Sequence, residues 1–130
     1  MTKALIFDMD GTLTLARQSL TENVEKELIR LCSKYKLYLV TGSNYAKVEE
    51  QLGLDLMLRV FDKIFCCNGT VAYNTNLDPD DEFGALEPEM IHKVDLTDHY
   101  SQADLNHITS VLLKYAAKNH TKYKTGTFVE

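Results

Sequence analysis
The chain has 130 residues, is 45% hydrophobic and 25% charged, and carries a formal net charge of −5 with a pI near 5.3. That length suits one ordinary domain with a real core and leaves little room for two complete ones. The acidic balance weighs against nucleic acid or an anionic membrane surface as a partner, and no apolar run is long enough to span a bilayer.

Ala4 to Phe7 is a short apolar run ended by polar residues and glycine, the pattern of a buried parallel strand and too short for a signal peptide. A helix is expected from about Glu22 to Tyr35, capped by Thr21, with Glu22 and Glu25 at its positive end and Val24, Leu28, Leu31 and Cys32 on one face. Leu37 to Val40 reads as a second strand, followed by Thr41-Gly42-Ser43-Asn44 and a helix that starts near Ser43 or Asn44 and stops at Gly53. Lys63 to Cys67 reads as a third strand and Val71 to Tyr73 as a fourth before the turn at Asn74-Thr75-Asn76. This alternation of strand and helix predicts an α/β fold on a parallel sheet.

The composition then shifts to the acidic Asp78-Pro79-Asp80-Asp81-Glu82. Beyond it Met90 to Leu96 is expected to form a strand. A helix follows over Ser101 to Lys118, with Ser101 and Asp104 as a capping box and Leu105, Ile108, Leu112 and Tyr115 on one face. Thr125 to Val129 reads as a last strand. Residues 1–80 are accordingly assigned to a core and 81–130 to a smaller subdomain.

Chemistry concentrates in Asp8-Met9-Asp10-Gly11-Thr12, directly after the first strand. Ligands of parallel sheets bind at the carboxyl ends of strands, and two carboxylates one residue apart can converge there. Gly11 permits a turn that aims backbone N–H groups at an anion. Asp8 can act as a nucleophile and Asp10 as acid and base, and paired carboxylates suit Mg²⁺. Asp and Gly are common in plain turns, yet the whole string Leu5-Ile6-Phe7-Asp8-Met9-Asp10-Gly11-Thr12-Leu13-Thr14 is far more specific.

That string resembles the first motif of the haloacid dehalogenase (HAD) superfamily, and the likeness narrows to the eukaryotic-type phosphomannomutases. The stretches Asp10 to Gln18, Gly42 to Gly53, Asn68-Gly69-Thr70-Val71-Ala72-Tyr73 and Gly126-Thr127-Phe128-Val129-Glu130 are similar to theirs, in the same order. The resemblance implies an HAD-like, Rossmann-like parallel core, incomplete in this chain, with a partial α+β cap. It implies Mg²⁺-dependent phosphoryl transfer on a sugar phosphate through an aspartyl-phosphate. Asp8 would be the nucleophile and Asp10 the acid/base, and both would hold the metal. Gly11, Thr12, Thr41, Gly42 and Ser43 would bind phosphate, with Ser43 favoured over Thr41, and Arg17 and Asn68 would bind substrate. Where the mutases carry an acidic residue before Asn-Gly, this chain has Cys67.

By the same resemblance the family's basic third motif, its later pair of acidic metal ligands and the arginine-bearing cap segment lie beyond Glu130. Asp62, Asp78, Asp80, Asp81, Lys47 and Lys63 gain no role from it. Phosphatase-like activity or none is therefore expected over mutase activity. The rival reading is a non-catalytic homologue or split-enzyme fragment that acts through a partner, either a complementing polypeptide or, since the mutase cap mediates dimerisation, a second copy. His92, His99, His107 and His120 show no paired ligand spacing, and Cys32, Cys66 and Cys67 suggest neither a disulfide framework nor a zinc site, which points to the reduced cytoplasm.

Overall fold
A computed structural model describes residues 3–15, 18–75 and 87–118. It divides into two compact units, the first running to Val94 and the second beginning at Asp95. The first unit contains β1 (Ala4–Phe7), α1 (Glu22–Cys32), β2 (Lys36–Val40), α2 (Tyr45–Leu52), α3 (Leu54–Val60), β3 (Lys63–Cys66), β4 (Val71–Asn74) and β5 (Glu89–Lys93). The second contains α4 (Gln102–Lys118), preceded by a 3₁₀ turn at Leu96–Asp98.

The five strands form one sheet in the order β1-β2-β3-β4-β5. β1, β2 and β3 are parallel, joined through helices, as the alternating sequence predicts. β4 departs from that pattern and runs antiparallel to β3, and β5 antiparallel to β4. Only Cys67 to Thr70 separates β3 from β4, far too few residues for a parallel crossover.

Side chains alternate across the strands. Leu37, Leu39, Ile64 and Cys66 are buried, and they join Leu28 of α1, Val48 and Leu52 of α2 and Leu56, Met57 and Val60 of α3 in one core. Ala4, Ile6, Lys36 and Val40, at the intervening positions, are exposed. All three helices thus serve the same face of the sheet. That outcome follows from two crossovers of the same hand stepping in the same direction along the sheet.

Three local expectations shift. Helix α1 ends at Cys32, short of Tyr35, because the chain turns at Ser33 and Lys34 to set the Lys36 N–H against the Lys3 carbonyl at 3.1 Å. Thr21 holds the extended backbone of an N-cap without a side-chain hydrogen bond. Gly53 does stop α2, but its φ of 78° also turns the chain straight into α3, an element the sequence pattern does not announce.

Ser101 and Asp104 form the expected capping box at the start of α4. The Asp104 carboxylate accepts from the Ser101 N–H at 3.1 Å, and the Ser101 hydroxyl accepts from the Asp104 N–H at 3.2 Å. Ile108, Leu112 and Tyr115 of its apolar stripe are exposed within that unit. The turn at Asn76, the acidic stretch 78–82 and the expected strand over Thr125–Val129 lie outside the described residues.

Candidate active site
Met9 organises the loop that follows β1. Its side chain is wholly buried in the core, while Asp8 is exposed and Asp10 half-buried on either side of it. Its carbonyl accepts from three successive N–H groups, those of Thr12 at 3.2 Å, Leu13 at 2.9 Å and Thr14 at 3.0 Å. The chain is thereby wound into a tight turn about one oxygen. Gly11 sits in that turn at φ 81°, a left-handed conformation that costs an L residue about 1–2 kcal/mol, and its N–H donates to the Thr14 carbonyl at 2.7 Å.

The turn is tied down from the side. Thr14 and Gln51, both nearly buried, meet through a hydrogen bond from the Thr14 hydroxyl to the Gln51 side-chain oxygen at 2.9 Å. The Gln51 carbonyl also accepts from the Leu20 N–H at 3.0 Å. Helix α2 therefore grips the chain at both ends of the segment 14–20. Neither Met9 nor Gln51 stands out in the sequence as a site residue, since an apolar residue and a glutamine carry no chemical signature.

The second strand's loop comes to the same place. The Ser43 hydroxyl donates to the Asp10 carboxylate at 3.4 Å, and the Thr12 hydroxyl donates to the Asp8 carboxylate at 3.3 Å. Capping of α2 falls to Asn44, whose side-chain oxygen accepts from the Lys47 N–H at 3.0 Å, so the Ser43 side chain is not needed as a cap. The Thr41 hydroxyl is nearly buried and accepts from the Ser43 N–H at 3.1 Å, which folds the loop around it.

The end of β3 closes the third side. Cys67 and Asn68 both adopt positive φ, at 50° and 56°. This conformation turns the Cys67 N–H onto the Ser43 carbonyl and the Asn68 N–H onto the Thr41 carbonyl, each at 3.0 Å. A Cβ added to Gly42 would stand 3.2 Å from the Asn68 side-chain oxygen, so the two loops approach closely. Asp8, Asp10, Gly11, Thr12, Thr41, Gly42, Ser43 and Asn68 thus gather at the carboxyl ends of three adjacent parallel strands. Arg17 lies outside the described residues.

Neighbouring cysteines differ in setting. Cys66 is buried, and burial together with the adjacent Cys67 pushes its thiol up to about 12. Lys47 is exposed and paired with Glu50 at 2.6 Å. Lys36 is paired with Asp62 at 3.3 Å. For a metal, the donors at this place are the Asp8 carboxylate and the backbone carbonyl of Asp10. Mg²⁺ takes one or two protein carboxylates and fills its shell with water and phosphate oxygens, so this pair fits a partial Mg²⁺ shell. Among the described residues, no three His, Cys, Asp or Glu side chains gather where they could share an ion.

Solved structures of HAD-superfamily proteins share this fold. A haloacid dehalogenase-like hydrolase from B. subtilis superposes with a TM-score of 0.59 at 16% identity, over 88% of this chain and 34% of its own. A phosphatase of the HAD superfamily from Bacteroides thetaiotaomicron gives 0.55 at 18% identity, over 89% and 37%. The fold is therefore an HAD-like α/β core, present in part.

Residues 24–130 match the family profile described as eukaryotic phosphomannomutase, and the chain belongs to that family. It is 34% identical over 126 residues to phosphomannomutase 1 of Homo sapiens, covering 96% of this chain and 44% of that protein. It is 33% identical over 128 residues to a phosphomannomutase of Babesia bovis, covering 97% and 46%. The chain thus spans less than half the length of these relatives.

Proposed function
We propose that this chain carries the nucleophile half of a sugar-phosphate phosphoryl-transfer site, with Asp8 and Asp10 as its reacting groups. The observation that carries this reading is the convergence of the Asp8–Asp10 turn with Ser43, 3.4 Å from the Asp10 carboxylate, at adjoining strand ends. Family membership supports the substrate class.

In this mechanism the Asp8 carboxylate attacks the phosphorus of the bound ester. The P–O bond to the sugar breaks, and Asp10 gives its proton to the departing sugar oxygen. Asp10 then takes a proton from water, or from a sugar hydroxyl in a mutase, as that oxygen attacks the aspartyl-phosphate and releases Asp8. Thr12, Ser43 and the N–H group of Gly42 are offered to the phosphoryl oxygens, with Gly11 shaping the turn, its own N–H held by the Thr14 carbonyl, Thr41 shaping the second loop and Asn68 bordering it. Arg17 is assigned to the substrate's phosphate on the family resemblance alone. The Asp8 carboxylate and the Asp10 backbone carbonyl would hold Mg²⁺, which would supply charge neutralisation for the phosphoryl group and leave the Asp10 carboxyl to its proton-transfer role. The three free cysteines suit a reducing, cytoplasmic setting.

A second reading has its own observation. Among the described residues β1 forms one edge of the sheet, Ile6 on it is 70% exposed, and beside it Phe7, Leu13, Val24, Leu28 and Leu31 line an apolar groove of about 350 Å³. An open parallel edge with apolar flanks is a template for another strand. A complementing polypeptide seated there would complete the site in trans.

The test measures Mg²⁺-dependent phosphate release and mutase turnover on hexose phosphates, with Asp8→Asn alongside. Nucleophile loss is expected to lower any turnover by at least about 10³-fold. Turnover equal in Asp8→Asn and the unchanged chain, from folded protein, would refute the assignment of Asp8.

A further inference from the structure
A cavity of about 240 Å³ in the first unit plays no part in the mechanism above. It is lined by Tyr45, Glu49, Leu54, Tyr73, Glu87 and Pro88. Tyr45 and Glu49 are four residues apart on α2 and so share one helix face. Tyr73 reaches the same side of the sheet because it is in register with buried Ile64. The two tyrosine rings pack with centroids 4.6 Å apart and planes inclined by 43°, and both line the cavity. Leu54 and Pro88 add apolar surface, and Glu49 and Glu87 add two negative charges.

Among the described residues, nothing basic lines this cavity. Among the described residues the ion pairs employ Glu22, Glu27, Asp62 and Glu50, and none employs Glu49 or Glu87. Burial raises the Tyr45 hydroxyl's pKa, and the charges of Glu49 and Glu87 raise it further, so both carboxylates act on that one ring.

An uncompensated pair of carboxylates beside π faces is a receptor for positive charge. A hard metal ion is a poor occupant, because it demands a shell of oxygens and half of this wall is apolar. An alkylated ammonium matches both kinds of wall, since its methyl or methylene groups contact the rings while its charge faces the carboxylates.

We propose that this cavity binds a small organic ammonium ion, held against Tyr45 and Tyr73 with Glu49 and Glu87 as counter-charges. The site is independent of the phosphoryl-transfer reading, and Asp8→Asn is expected to leave it intact.

The experiment titrates the full 130-residue chain with choline at constant ionic strength and follows the tyrosine ring resonances by NMR. A titration with 3,3-dimethyl-1-butanol, the neutral isostere of choline, runs in parallel. Choline is expected to shift the Tyr45 and Tyr73 signals saturably, with the isostere at least ~10-fold weaker. The double variant Glu49→Gln/Glu87→Gln should lose ~10-fold in choline affinity with an unchanged circular dichroism spectrum, because both glutamates are exposed and support no packing. Tyr73→Leu should weaken binding too, and the glutamine variant keeps the test decisive if that variant fails to fold. Absence of a saturable shift, equal affinity for the neutral isostere, or full affinity in the glutamine variant would each overturn the proposal.

Discussion

Breaking the hydrogen bond between Thr14 and Gln51 tests how the reactive turn is held. Both residues are about 5% exposed and their side chains meet at 2.9 Å, so truncating one strands the other without solvent to replace it. Gln51→Leu keeps the volume and removes the acceptor. Thr14 then retains only its longer contact to the Met9 carbonyl, at 3.3 Å. Thr14→Val leaves the Gln51 side-chain oxygen without its donor. A stranded buried polar group costs about 1–3 kcal/mol, so each single variant should lose about 2 kcal/mol. With a urea m-value of about 2 kcal/mol/M, that is a fall of about 1 M in midpoint.

Removing both partners in Gln51→Leu/Thr14→Val replaces the pair by apolar groups of similar shape. The double variant should therefore be more stable than the sum of its parts predicts, by about 1–2 kcal/mol. The assay is urea unfolding followed by near-ultraviolet circular dichroism, in which the seven tyrosines report because the chain has no tryptophan. Turnover should fall in the single variants as well, because the turn bearing Asp8 and Asp10 is released from α2. Strictly additive losses, or single variants within about 0.3 kcal/mol of the unchanged chain, would refute the tether.

Gly11→Ala separates backbone strain from crowding. No atom lies within 4 Å of where its Cβ would stand, so the loss of about 1–2 kcal/mol should come from the φ of 81° alone, and thermal unfolding should show Gly11→Ser losing a similar amount. Cys66 predicts the alkaline limit of stability. Its thiol stays protonated in the folded chain up to about 12 but ionises near its ordinary 9.0 when unfolded, so stability should decline as pH rises between those values. The slope is at most about 1.4 kcal/mol per pH unit for one group, and Tyr45 and Tyr73, also shifted upward by burial, add in the same sense above 10.0. Unfolding midpoints of Cys66→Ala across that range should show a shallower fall, and an identical pH profile would count against it.

Where the controlling interactions are short-range, the amino-acid sequence determined the outcome by itself. The apolar run before Asp8 makes β1 and sets two carboxylates at its end, because strand, turn and glycine are all specified within ten residues. The Ser101–Asp104 cap closes within a single helical turn, and it appears as written in the sequence. The HAD likeness and the α/β class were legible for the same reason.

Tertiary structure decided what depends on partners remote in the chain. β4 became antiparallel because the link after Cys66 is too short for a crossover, and α3 formed because Leu56, Met57 and Val60 found a core to enter. Ser43 faces Asp10 while Thr41 folds inward, a choice made by the β3 end, where Cys67 and Asn68 take left-handed backbone to reach the Ser43 and Thr41 carbonyls. Gln51 reaches Thr14 across 37 positions of sequence, and no periodicity or motif records such a contact. Its energy exists only when the chain is folded and water is gone from both groups.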